Sequence, residues 1–408
     1  MKKAIVITKF IPAPTFSGGA IRNKAWISFL YKYFNIILIG FWDKKYGNTR
    51  ANELKEYVEE IIGFDFSRTK SMLIKTSLKA FVNKQAIVLQ QYYSEELQET
   101  FDNIIENQDV SLIFCEELST VQYVKNVRNI PIVFDDHNIE YELQDRSASN
   151  STFLLRMLMR REARYVKKFE MFAWEHSKLC YFVSERDCQI AMENSANKSF
   201  DVVENTFSSE GISCRRSSEW FDKPTCVFIG NMSWKPNYYG LMHFFEKIYP
   251  RVKDHIDDFE IILLGSSVPD DLRICAMNSG ARIIENIEEN AKKEIVSKCW
   301  LALVPLYFGS GTRIKILEYW AHSKAVLSTG IGAEGLRSCE GTIIKDKDDD
   351  FADEIIELLS DKNRLEELGR LNKDIFSKYY EEKTVYADTL YFSLSAKLNG
   401  EGKNSEYY

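Results

Sequence analysis

Residues 308–330 read FGSGTRIKILEYWAHSKAVLSTG, and this stretch decides how the rest of the chain is read. Gly309, Ser310, Gly311 and Thr312 make a glycine-bracketed loop, and a helical pattern runs from Arg313 to about His322. Ser323 and Lys324 close that helix, and the apolar run Ala325 to Leu327 then reads as a buried strand. Glycines let a backbone approach a ligand closely, and the free N–H groups of a helix start attract anions such as phosphate. Arg313 and Lys315 add positive charge there, while Glu318, further in, suits hydrogen bonds from neutral hydroxyls. Phosphate donors beside a hydroxyl acceptor describe a sugar-nucleotide site. The bland alternative is a glycine turn capping a buried helix, with Lys315 in a surface pair with Glu318.

The same strand–helix alternation extends outward in both directions. AIVIT (4–8), NIILIGF (35–41), SLIFCE (111–116), PIVFDD (131–136) and LCYFVS (179–184) read as buried strands. Amphipathic stretches at 21–33, 94–107 and 153–176 lie between them. The second half repeats the pattern with TCVFIG (225–230), FEIILLG (259–265), ARIIE (281–285), WLALVPL (300–306) and AVLST (325–329). Such alternation predicts parallel, doubly wound α/β sheets, whose ligands sit outside the strands' carboxyl ends. At 408 residues the chain exceeds one hydrophobic core, and the polar stretch 205–224 marks a boundary. The expected domains are 1–208, 209–375 and a helical tail from 376 to 408.

With Leu317-Glu318, Val326-Leu327 and Gly332-Ala333-Glu334-Gly335 in order and spacing, the chain resembles retaining glycosyltransferases of the GT-B fold, group 1 and family 4-like. That family often carries two glutamates with seven residues between them; the later matches Glu318, but the earlier falls at Ser310. There that carboxylate holds hydroxyls of the transferred sugar, so the sugar is left open. A subset with a Gly-Ser-Gly-Thr-Arg turn is more similar still. The resemblance implies two Rossmann-like domains facing a cleft, with the tail crossing back to the first. It implies transfer of a sugar from a nucleoside-diphosphate sugar to an acceptor hydroxyl, with retention, in surface-glycan synthesis. It implies a substrate nucleotide but no cofactor and no metal. Two rivals stay open: a sugar-nucleotide epimerase of the same architecture, and a catalytically silent binding or scaffold protein.

Three further constellations add candidate residues. Gly18 and Gly19 precede an amphipathic helix with Arg22 in its first turn, a helix start suited to phosphate or an acceptor group. The resemblance places such a Gly-Gly loop at the cleft, Gly19 on the donor side. Asp135, Asp136, His137 and Asn138 directly follow a buried strand. Related enzymes carry a histidine there, so His137 is the catalytic candidate, hydrogen bonding to donor or acceptor hydroxyls, with Asp136 and Asn138 beside it. The two aspartates also read as a metal pair, but the DxD motif of metal-dependent transferases is absent. In GNMSWKPN (230–237), Asn231 stands where many relatives have arginine, leaving Lys235 as the diphosphate-binding cation. Pro236 suits the first turn of a helix from Tyr238.

Composition bounds the rest. The net charge of −7 arises entirely after residue 208, since residues 1–208 hold 27 basic and 27 acidic side chains. That excludes broad nucleic-acid binding, which needs a basic footprint. Eight cysteines without a CxxC pair read as reduced thiols of a cytoplasmic protein. Lys9 interrupts the first apolar run too early for a signal peptide, and no run reaches the ~18 residues of a spanning helix. Membrane contact on the cytoplasmic face stays open. Residues 67–84 carry five basic residues and no acidic one, with Ile74, Leu78, Phe81 and Val82 on one helical face beside Lys75 and Lys79. Residues 156–168 add six cations against one glutamate. Such a face either packs on the domain core or lies in an anionic membrane interface, where a lipid-linked acceptor would be met.

Overall fold

Runs such as AIVI are apolar on both faces of a strand, which only a sheet covered on both sides can hide. Ala4 to Ile7 are accordingly fully buried in β1 (Lys2–Phe10). The computed structural model describes all residues except 14–17, 44–46, 50, 68, 150–152, 197–198, 310–312 and 400–408. After β1 come β2 (Phe34–Trp42), β3 (Glu60–Asp65), β4 (Val110–Glu116), β5 (Ile132–Asp136), β6 (Leu179–Phe182) and β7 (Phe200–Val202). They form one parallel sheet in the order β3-β2-β1-β4-β5-β6-β7, with Ile5 flanked by Ile37 and Ile113.

A second parallel sheet holds β8 (Thr225–Asn231), β9 (Glu260–Ser266), β10 (Arg282–Glu285), β11 (Leu301–Val304), β12 (Ala325–Ser328) and β13 (Thr342–Ile344). Its order is β10-β9-β8-β11-β12-β13. In both sheets the strand order reverses beside the first strand, between β1 and β4 and between β8 and β11. Those are the switch points where open α/β sheets leave a crevice at their carboxyl ends. All ten strands expected from sequence are present. The three that were not, β3, β7 and β13, are all edge strands, incompletely buried and so without a continuous apolar run.

Two compact units result: Met1–Glu204 with Tyr386–Tyr408, and Asn205–Val385. In the first, the helix Glu95–Asn107 is capped by the Ser94 hydroxyl on the Leu97 amide and buries Leu97, Phe101 and Ile104 on one stripe. The helix Asp388–Asn399 joins this unit through Tyr391, stacked 3.6 Å from Tyr33, and Asp388, which accepts from the Tyr33 hydroxyl at 2.7 Å. In the second, the helix Ile314–Ala321 begins one residue later than the sequence suggested, because Arg313 is extended (φ −85°, ψ 98°). This helix inserts Tyr319 where β8 and β11 separate: the Ile229 N–H, past their ladder, donates to the Tyr319 hydroxyl at 2.7 Å. No helix among the described residues is long and apolar enough to cross a membrane.

Candidate functional site

The second unit gathers its candidate residues at the β8/β11 switch point. Lys315, in the first turn of the Tyr319-anchored helix, donates from Nζ to Asn237 Oδ1 at 2.7 Å and lies 3.9 Å from the Phe228 ring centroid. Asn237 Nδ2 donates to the Asn231 carbonyl at 2.7 Å. Gly230 makes the meeting possible: a Cβ there would lie 2.7 Å from Asn237 Nδ2 and 3.2 Å from Lys315 Nζ. Burial, reinforced by the Arg313 charge, pushes the Lys315 ammonium well below its usual pKa. The Arg313 guanidinium is 5.5 Å from the Trp234 ring centroid and crowds Gly309, where a Cβ would approach its Nη2 to 2.6 Å. Gly309 sits at φ +121°, a conformation that only glycine adopts freely.

Glu318 takes a different partner from the one considered. Its Oε1 lies 2.9 Å from Lys292 Nζ, which also stands 3.0 Å from Glu289 Oε2. Burial raises the Glu318 carboxyl above its usual pKa, and Lys292 offsets only part of this. The Lys315–Glu318 surface pair is therefore not what forms, since each is drawn into the unit by another residue. Lys235 is exposed at the first residue of the helix Lys235–His243, which starts before the expected Tyr238. Asn231 spends its side chain on the turn, accepting from the Ser233 amide at 3.0 Å and the Ser233 hydroxyl at 2.8 Å. Gly311 and Thr312, with Ser310, lie outside the described residues.

The first unit builds a closed charge network at the β1/β4 switch point. Arg22, 2% exposed, forks onto Asp135 with Nε to Oδ2 at 2.6 Å and Nη2 to Oδ1 at 2.5 Å, while Nη1 donates to the Val203 carbonyl at 2.8 Å. His137 Nε2 lies 3.0 Å from both Asp135 Oδ2 and Glu116 Oε2. Asn23, with its amide nitrogen turned to the acceptors, donates to the Gly19 carbonyl at 2.8 Å and to Glu116 Oε2 at 3.0 Å. A Cβ on Gly19 would lie 3.9 Å from His137 Nδ1, so the free ring nitrogen faces the helix start. Glu117, the next residue after β4, is held at φ +69°, strain of the kind that gathers at functional sites.

These contacts set the protonation states. Burial works against an imidazolium, but hydrogen bonds to Asp135 and Glu116 outweigh it and raise His137 to about 10. Burial lifts Glu116 to about 7, even though the hydrogen bond to His137 pulls the other way. Asp135, despite burial, is held well below the usual carboxylate range by Arg22 and His137. Glu116, Asp135 and His137 bring one ligand atom each within 4.8 Å, as a metal site would. Arg22, however, already engages both Asp135 oxygens, so a cation would have to displace a buried guanidinium and face its charge. The donor set fits a hydrogen-bonded histidinium better than an ion.

Asp136 does not join this cluster. Alternation turns it to the other face of β5, where Oδ2 accepts from Trp174 Nε1 at 2.8 Å inside the core. Asn138 is half-buried, Gly18 exposed and Gly19 half-buried at the helix start. The sequence did not single out Glu116, Asn23, Asn237 or Lys292. Glu116 alone had a usable signal, an acidic residue at the carboxyl end of an otherwise apolar strand.

Residues 223–361, about a third of the chain, match the family model of the group 1 glycosyl transferases. An uncharacterised 44.6 kDa protein in the cps region of Klebsiella pneumoniae is 23% identical over 178 residues, 41% of this chain and 46% of that protein. The match thus spans less than half of that relative's length. Anabaena Alr3699/HepE, solved in complex with UDP and glucose, superposes with a TM-score of 0.69 at 10% identity, covering 97% of this chain and all of that one. Sucrose-phosphate synthase of Thermosynechococcus elongatus gives 0.72 at 12% identity, covering 98% and 100%. Staphylococcus aureus TarM, in complex with fondaparinux, alpha-GlcNAc-glycerol and UDP, gives 0.67 at 9%, again over 98% and 100%. The second unit thus carries a domain that matches the group 1 glycosyl transferases, within a chain of GT-B fold.

Proposed function

We propose that this protein moves a sugar from a nucleoside-diphosphate sugar to an acceptor hydroxyl, with retention of configuration, during assembly of a surface glycan. The observation that carries the reading is the junction of Lys315, Asn237 and Gly230 beside Arg313, at a switch point inside the matched domain. A diphosphate leaving group gains negative charge as the bond from the anomeric carbon to its oxygen breaks. Arg313 and Lys315 are placed to stabilise that charge. The acceptor oxygen then bonds to the anomeric carbon, and its proton leaves with the departing phosphate. Glu318 anchors hydroxyls of the nucleotide ribose, and Gly311 and Thr312 lend backbone donors to the phosphates. His137 hydrogen-bonds hydroxyls of the sugar or acceptor as a donor.

UDP in the solved HepE and TarM complexes supports a uridine nucleotide as the first donor to try. The cps-region relative supports a capsular or similar glycan as product. The chemistry assigned to these side chains calls for no metal and no cofactor. The test is a thermal-shift panel of nucleoside-diphosphate sugars, followed by incubation with acceptor lipids and glycans and by NMR of the product's anomeric proton. A donor that raises the melting temperature and yields an α-linked product from an α-linked donor is expected, with activity intact in EDTA. Lys315→Ala and Glu318→Ala should each weaken donor binding about tenfold or more, the loss of a hydrogen bond to a charged group. Tight nucleotide binding with neither transfer nor hydrolysis would favour a binding protein. Unchanged affinity in both variants would show the donor site to be elsewhere.

A further inference from the structure

The helix Lys70–Val82 is turned the wrong way round for a core element. Its one buried residue is Ala80, and the half-buried Leu73, Thr76 and Ser77 share that side. The large apolar side chains face outward: Ile74 is 60% exposed, Leu78 61%, Phe81 52% and Val82 74%. An amphipathic helix that only needed a core would be rolled about its axis to hide them. The neighbouring helix Phe153–His176 continues the surface, with Phe153 74% and Met157 58% exposed in its first turns. Arg161 joins the two, donating to the Phe81 carbonyl at 3.0 Å with its guanidinium 4.4 Å from the Phe81 ring centroid.

Charge decides what covers this face. Residues 67–84 and 156–168 hold eleven basic side chains and one acidic one, in a chain whose net charge is −7. The one acid, Glu162, is turned inward, accepting from the Ile87 amide at 2.6 Å, so among the described residues these two stretches turn no negative charge outward. Beside it a cavity of about 340 Å³ opens between Lys84, Lys125 and Lys168 over Phe169 and Phe172, a cationic rim on an apolar floor. A second copy of the chain docking by the same face would bring these cations against their own images. A surface of anionic headgroups over acyl chains satisfies both halves of the pattern.

We propose that this face docks the first unit on an anionic phospholipid bilayer, Ile74, Leu78, Phe81 and Val82 entering the acyl boundary and Lys75 and Lys79 meeting phosphates. An acceptor carried on a lipid would then reach the protein along the membrane plane. The test is co-sedimentation of the full chain with vesicles of pure zwitterionic lipid and of zwitterionic lipid mixed with anionic lipid. It needs neither nucleotide nor turnover, so its failure leaves the donor reading standing.

Binding is expected to the mixed vesicles only and to weaken with salt. Lys75→Gln with Lys79→Gln should lower the partition coefficient about 25-fold, roughly fivefold per cation removed. Ile74→Ser with Leu78→Ser should also lower it. All four positions are exposed, so both variants should keep the parental melting temperature, checked by circular dichroism. Equal recovery with both vesicle types, or recovery unchanged by both variants, would overturn the proposal. So would a dimer in light scattering that Ile74→Ser with Leu78→Ser dissociates while no vesicle is bound.

Discussion

Replacing Lys292 by methionine keeps the aliphatic stem and removes only the charge opposite Glu318. At 2.9 Å the pair attracts with about 6 kcal/mol gross at an effective dielectric of about 20. Desolvation of both groups offsets much of that, and the Lys292 side chain is still 18% exposed. What Lys292→Met leaves behind matters more: a carboxylate only 7% exposed and without its ammonium. Breaking a buried pair by removing one partner costs about 3–5 kcal/mol, and the partial exposure brings this to about 2–4. Glu318 escapes part of the cost by taking up a proton, towards which burial already pushes it. A carboxyl whose folded pKa is raised penalises the folded state as pH rises above its unfolded value, so the loss should be larger at pH 8 than at pH 5. For a unit of this size about 2–4 °C accompany each kcal/mol, which predicts a fall of roughly 4–16 °C at pH 8. Differential scanning calorimetry of the full chain reads it. Lys292→Met with Glu318→Gln should recover much of the loss. A melting temperature within about 1 °C of the parent at pH 8, or a double variant no better than the single, would refute the buried-pair argument.

Because His137 is raised to about 10 when folded, its contribution to stability is complete below its unfolded value near 6.5 and is lost as pH rises through about 10. The stability gap between the parent and His137→Gln, from urea denaturation, should therefore be widest at pH 6 and shrink towards pH 10; a flat gap would count against the histidinium. Lys315, whose pKa is pushed down by burial and by Arg313, should have that pKa raised when a diphosphate arrives. Calorimetric titration with UDP in buffers of differing ionisation enthalpy should show net proton uptake, with affinity falling as pH rises; Lys315→Met should abolish the uptake, and its persistence would assign the proton to another group.

How far the sequence carries depends on the range over which each feature is made. Strands such as AIVI at 4–7 and LALV at 301–304 are legible because burial on both faces forces an uninterrupted apolar run. The edge strand Glu60–Asp65 escapes because it is only partly covered and Gly63 interrupts it. Lys315 and Glu318 stood out from their spacing after the glycine loop, but their partners could not. Asn237 is 78 positions from Lys315, and Lys292 lies on another helix altogether. Asp135 and Asp136 look alike in sequence, and alternation alone requires them to face opposite ways. Only Trp174 in the folded core settles that Asp136 is the one that stays out of the Arg22–His137 network.

The network around His137 also narrows what that residue does in the proposed transfer. A general base must be unprotonated at working pH and within reach of the proton it removes. His137 is held rather than free: Nε2 lies between Asp135 and Glu116, and hydrogen bonds to both raise the ring to about 10, which favours the imidazolium at pH 7. Arg22 fixes Asp135 in turn, so that carboxylate cannot follow the ring, and a ring that swings away loses its contacts to Asp135 and Glu116. What remains is Nδ1–H, facing the start of the Gly18–Leu30 helix and able only to donate. The same helix start offers further N–H donors with a positive dipole end. The ring is thus a fixed donor, suited to oxygen atoms of a sugar or acceptor and unsuited to accepting their protons, while the Glu117 carboxylate faces the same helix start, its Oε1 3.6 Å from where a Cβ on Gly19 would lie. In the proposed reaction His137 therefore does not take the acceptor's proton, which leaves with the diphosphate, the group that becomes more basic as its bond to the anomeric carbon breaks.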